Sequence, residues 1–179
     1  MMPGWAIAYV QRIEAVNYRI GRFAMYLLFV IMGILLWSSV TKIIKLPSLW
    51  TLEMAQFTLV AYYLLGAPYS MQLGANVRMD LMYARMPLRR QALWDMFTVF
   101  CLIFYLGVML WGAVDSTVYS LSVGERAPSA WRPPLWPIKF IITISFALMI
   151  LQALAHLIRD IAILRGVEIP MPFRGEVDR

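Results

Sequence analysis

The chain has 179 residues, is 61% hydrophobic with a mean hydropathy of +0.69, and carries a net charge of +6. Soluble domains are about 45–50% apolar, so the excess points to a bilayer. The ~10-residue alternating segments of a membrane barrel are absent, which leaves helices as the spanning elements.

Charge placement says more than composition. Lys, Arg, Asp and Glu are missing from Phe23 to Thr41, Met54 to Val77, Met96 to Val114 and Phe140 to Ile158, windows of 19, 24, 19 and 19 residues. A spanning helix needs about 20 apolar residues. These windows predict an all-α membrane protein with four transmembrane helices, near residues 20–44, 51–77, 92–121 and 138–164, plus short interfacial amphipathic helices. The domain plan is an interfacial segment over 1–20, a four-helix transmembrane domain over 20–165, and a cytoplasmic tail over 166–179.

In chain order, residues 3–20 interleave Trp5, Ile7, Val10, Ile13, Val16, Tyr18 and Ile20 with Gln11, Arg12, Glu14, Asn17 and Arg19. That pattern suits a short amphipathic helix in the headgroup region, or an extension of helix 1. Helix 1 lacks a clear cleavage site and is expected to be retained. Lys42 and Lys45 can snorkel at its far end, and Pro47-Ser48 marks a turn into a tight antiparallel hairpin. Helix 2 begins with Glu53 and Gln56 on one face and contains Pro68, which should kink it. Gly66, Ala67, Ser70, Gly74 and Ala75 are small enough to let a neighbouring helix approach closely. The next loop holds Arg78, Asp80, Arg85, Arg89 and Arg90, with room for an interfacial helix broken at Pro87. Helix 3 runs past Asp115, beyond its charge-free part. A loop with Pro128, Pro133, Pro134, Pro137, Trp131 and Trp136 leads into helix 4.

Placing both termini in the cytoplasm puts eleven Lys and Arg inside and five outside, as the positive-inside rule asks. The basic excess then reads as topology and contact with anionic membrane lipids, and no nucleic acid is expected as a partner.

Catalysis finds no support. His156 is the only histidine, so neither a haem-ligand pair nor a Ser-His-Asp set can be built from one chain. Cys101 is a lone cysteine, no cluster suits a metal, and no Gly-rich phosphate loop exists. The expectation is a non-enzyme with no cofactor of its own. Glu53, Asp115 and Glu125 sit at outer helix edges, and Arg78 and Asp80 at inner ones. They read either as interfacial capping and charge pairing or as docking points for a partner chain.

The segment from Leu64 to Asp95 resembles the small, DctQ-like membrane subunit of tripartite ATP-independent periplasmic (TRAP) transporters. Gly66-Ala67-Pro68-Tyr69 is similar to that family's Gly-Ala-Pro-Tyr run, and Gly74-Ala75-Asn76-Val77-Arg78-Met79-Asp80 to its Gly-x-His-Val-Arg-x-Asp element. Met86-Pro87-Leu88-Arg89-Arg90 is similar to its turn into helix 3, and Gly124, Glu125, Ser129, Pro134, Trp136 and Pro137 loosely follow its outer loop. Asn76 stands where the family usually has histidine. The resemblance implies a bacterial inner-membrane scaffold for a large subunit of about twelve helices that carries substrate and sodium. It also implies a periplasmic binding protein that delivers organic acids and docks partly on this subunit. Glu53, Gln56, Gly66, Pro68, Gly74, Asn76, Arg78, Asp80, Asp115 and Glu125 are the candidate interface residues, with the faces of helices 2 and 3 toward the large subunit. Two other readings are a self-contained four-helix exporter and a haem-free membrane anchor of a respiratory enzyme.

Overall fold

The computed structural model describes residues 4–46, 48–73 and 88–164. Within them lie four helices: α1 (Gly4–Ile43), α2 (Thr51–Gln72), α3 (Leu88–Val123) and α4 (Trp136–Leu164). No strand occurs among the described residues, only an isolated bridge between Arg126 and Pro134. The all-α expectation therefore holds.

Helix α1 is unbroken for 40 residues. Of the two readings left open for residues 3–20, the structure takes the extension: the amphipathic stretch runs directly into the apolar one. At 1.5 Å per residue such a helix is about 60 Å long, more than the ~40–45 Å of a whole bilayer. Its first turns therefore form an arm distinct in setting from the span.

Three helical stretches, Trp5–Ile43, Phe97–Val123 and Trp136–Ala162, are long and apolar enough to cross a membrane by length and composition. The sequence predicts four spans, and α2 is not a clear one. Tyr62, Tyr63, Gly66, Pro68, Tyr69 and Ser70 crowd into its 22 residues and dilute the apolar signal of its charge-free window. The predicted continuation of helix 2 from 74 to 77, and the interfacial helix around Pro87, lie outside the described residues.

The turn from α1 to α2 explains the tight hairpin. Lys45 adopts the left-handed region at φ 59°, the Lys45 amide donates to the Lys42 carbonyl at 3.1 Å, and the Leu46 amide to the Thr41 carbonyl at 3.0 Å. This is a Schellman stop, and it satisfies carbonyls that the helix end would otherwise orphan. Hydroxyls close the corner: Ser48 donates to Thr51 at 3.0 Å, and Thr51 to Ser38 at 3.2 Å. In the first half of α1, Gly21 sets the approach of α1 to α2, because a Cβ there would overlap the Tyr69 ring.

Helix α3 ends in the same way. Gly124 has φ 66°, and the Glu125 amide donates to the Ser120 carbonyl at 3.1 Å. The proline-rich loop then folds back on itself, with Ala127 N–H on the Pro133 carbonyl at 3.0 Å and Leu135 N–H on the Glu125 carbonyl at 3.1 Å. Helix α4 is the hub: it packs on α1, α2 and α3. One apolar cluster joins Met71, Leu106 and Ala153; another joins Val10 to Ala155 and Ala162.

Candidate functional site

Those predicted interface residues that lie among the described residues do not gather into one place. Glu53 is half-buried in the first turn of α2, Gln56 and Asp115 are exposed, Gly66 is half-buried, and Pro68 is buried inside α2. Glu125 is half-buried in the loop after α3, where its Oε2 accepts from Lys139 Nζ at 2.5 Å. That hydrogen bond, against a smaller opposing effect of desolvation, holds the Glu125 carboxyl below its ordinary range. Gly74, Asn76, Arg78 and Asp80 lie outside the described residues.

A shallow groove of about 420 Å³ runs between α1 and α2, floored by Gly21, Ala24 and Gly66 and walled by Tyr62, Tyr63 and Tyr69. Rings and small residues line it, with no charged side chain. It holds nothing that would select an ion or an organic anion. Among the described residues no group of His, Cys, Asp and Glu could hold a metal ion. Cys101 is exposed, as a lone thiol on an apolar helix face.

The most specific polar constellation lies elsewhere, where the arm of α1 meets the end of α4. Glu14 and Asn17 are each 1% exposed, Gln152 0% and Arg159 8%. Arg159 NH2 reaches Glu14 Oε1 at 2.6 Å, and Asn17 Nδ2 donates to Gln152 Oε1 at 2.7 Å. Nearby, His156 Nε2 donates to the Met71 carbonyl at 3.0 Å, tying α4 to α2, and the Tyr9 hydroxyl donates to the Leu151 carbonyl at 3.3 Å. The pairing offsets part of the desolvation, while Glu14 Oε2, Asn17 Oδ1, Gln152 Nε2 and Arg159 Nε are buried without a hydrogen-bond partner among the described residues.

Sequence reasoning assigned Glu14 to an amphipathic face and Arg159 to the cytoplasmic charge count, and so missed the pair. A signal existed. The buried residues Val10, Glu14, Asn17, Gly21, Ala24 and Ile31 recur at spacings of three, four and seven. Ser145, Gln152, Ala155, Arg159 and Ala162 do the same on α4. Both are helix–helix seams of 3.5-residue period, with polar residues among the small ones.

Comparison with known proteins adds the last observation. The family described as "Tripartite ATP-independent periplasmic transporters, DctQ component" matches residues 31–163. That interval covers the end of α1, the whole of α2 and α3, and nearly all of α4. A relative, the isethionate TRAP transporter permease protein DctMQ of Oleidesulfovibrio alaskensis, is 25% identical over 116 residues, or 65% of this chain. The match spans 18% of that relative's own length. No solved structure matches the chain.

Proposed function

We infer the function from one premise: the chain belongs to the DctQ component family of tripartite ATP-independent periplasmic transporters. It is thus a multi-pass membrane component of a transporter rather than an enzyme. From that membership we propose that it is the small subunit that scaffolds a large transport subunit in the bacterial inner membrane. In this reading the large subunit carries substrate and sodium, and a periplasmic binding protein delivers the substrate. The small subunit offers that protein part of its landing surface, through the loop after α3 and the α1–α2 turn.

The family match over 31–163 carries the reading. The residues agree with it. The groove between α1 and α2 lacks charge, and at the arm Glu14 pairs with Arg159 and Asn17 with Gln152. Helix α2 lacks the apolarity of a lipid-bathed span, which suits a helix covered by protein. The candidate contacts remain Glu53, Gln56, Gly66, Pro68, Gly74, Asn76, Arg78, Asp80, Asp115 and Glu125. The named substrate of the DctMQ relative is isethionate, a small organic acid anion, and substrates of that class are proposed here. Both termini are placed in the cytoplasm on the eleven-to-five charge asymmetry.

The test is reconstitution. Proteoliposomes with the large subunit, the binding protein and a sodium gradient should take up the substrate only when this chain is present. Uptake by this chain alone would overturn the scaffold reading.

A further inference from the structure

The arm of α1, residues 4–24, contains one acidic residue, Glu14, and three arginines, Arg12, Arg19 and Arg22. The structure separates them by face. Glu14 is buried and neutralised by Arg159, while Arg12, Arg19 and Arg22 are all exposed. Trp5, Arg12 and Arg19 recur every seven residues, so they share one stripe of the helix, with Arg22 and Phe23 one turn further on. Val10, Glu14 and Asn17 form the opposite, buried side against α4. All the charge on the exposed face of the arm is therefore positive. It is bracketed by two exposed aromatics, Trp5 at 70% and Phe23 at 60%.

Its depth follows from what it touches. The arm contacts α4 between Leu151 and Ala162, a segment that contains the end of that helix's charge-free stretch at Ile158. Arg22 directly precedes Phe23, where the charge-free stretch of α1 begins. Both helices thus place the part of the arm from Glu14 to Arg22 near the boundary between hydrocarbon and headgroups. Arg22 is steadied there: its guanidinium lies 5.6 Å from the Tyr18 ring centroid and NH1 donates to the Tyr18 hydroxyl at 3.3 Å.

We propose that this face, Arg12, Arg19 and Arg22 between Trp5 and Phe23, binds the headgroups of anionic phospholipids. Charge complementarity selects the occupant. Phosphate-bearing headgroups with net negative charge are the anions present at that depth, and guanidinium forks suit phosphate oxygens. Aromatic rings at both ends fit the interfacial belt. The ion pair with Arg159 is what makes the face selective, since an exposed Glu14 would repel the same headgroups.

The experiment compares the full-length protein with R12Q/R19Q/R22Q after exchange into nanodiscs of equal phosphatidylethanolamine and phosphatidylglycerol. Phosphatidylglycerol retained on release into the gas phase is counted by native mass spectrometry. Each arginine near such a surface is worth about a fivefold change in affinity, so the triple variant should bind roughly a hundredfold more weakly. A control, K42Q/K45Q/R132Q, removes the same charge at the far end of the helices, where no arginine stripe lies between two aromatics, and should lose clearly less lipid than R12Q/R19Q/R22Q. R12K/R19K/R22K, which keeps the charge, should retain most of the lipid. Equal losses in the two glutamine variants would overturn the proposal. So would unchanged lipid retention in R12Q/R19Q/R22Q with loss of a co-purifying protein, which would assign the face to an acidic protein partner.

Discussion

Arg159 on α4 reaches the Glu14 carboxylate on α1 at 2.6 Å, and both side chains are almost wholly removed from solvent. Two residues that a charge count treats as independent surface groups are thus one buried unit. With Asn17 and Gln152 beside them, they fix where the arm lies on α4.

Removing one partner of that pair should be far worse than removing both. An unpaired buried charge typically costs about 3–5 kcal/mol, while a buried pair replaced by apolar groups is often neutral. Glu14→Leu and Arg159→Leu should each lower the melting temperature of the purified protein, and the double variant should recover most of the loss. Additive effects in this double-mutant cycle would show that the residues do not act as a pair.

The neighbouring amide pair should behave alike at smaller scale. Asn17→Leu leaves Gln152 Oε1 buried without its donor, at a cost of about 1–3 kcal/mol. Interhelical hydrogen bonds in membranes average only about 0.6 kcal/mol, so Asn17→Leu with Gln152→Leu should sit near wild type. Thermal unfolding in detergent reads both.

Much of this architecture was legible in the sequence, and the reasons are local. Charge-free windows mark helices because ionisable groups are costly in lipid, and this gave all four helices, three of them clear spans. Pro47-Ser48 gave the hairpin corner, although the left-handed stop at Lys45 was hidden because a lysine rarely takes that backbone conformation. Helix α2 is the less clear span because freedom from charge is not apolarity: tyrosines, glycine and proline leave a window uncharged yet less apolar than the other three. The Glu14–Arg159 pair joins residues 145 positions apart, and its only trace was a 3.5-residue spacing on each helix. The family resemblance rested on residues 64–95 and, more loosely, on 124–137, and the family match over 31–163 takes in both.

Gly21 should not tolerate a side chain. A Cβ there would meet the ring of Tyr69, a rigid obstacle. Gly21→Val should open the α1–α2 contact and destabilise by about 1–3 kcal/mol, the usual range for overpacking. Adding Tyr69→Ala should restore part of that loss, which a cross-link between cysteines placed on α1 and α2 would report.

The loop after α3 should loosen in acid. Because the Lys139 hydrogen bond depresses the Glu125 pKa, the pairing contributes above the ordinary carboxylate range and is lost as pH falls through the depressed value. Amide exchange over residues 124–135 should therefore be slow at neutral pH and rise, after correction for intrinsic rates, only in strong acid. Glu125→Gln should exchange faster at neutral pH and show no such transition.

The proposed role of this chain is to serve a partner subunit. The direct measurement is to express it with the large membrane subunit encoded in the same genome, affinity-purify through a tag on this chain, and weigh the complex. A stable one-to-one complex, with substrate uptake restored on adding the binding protein, is the predicted result. A chain that purifies alone from that co-expression, and moves substrate by itself across a proteoliposome, would contradict it.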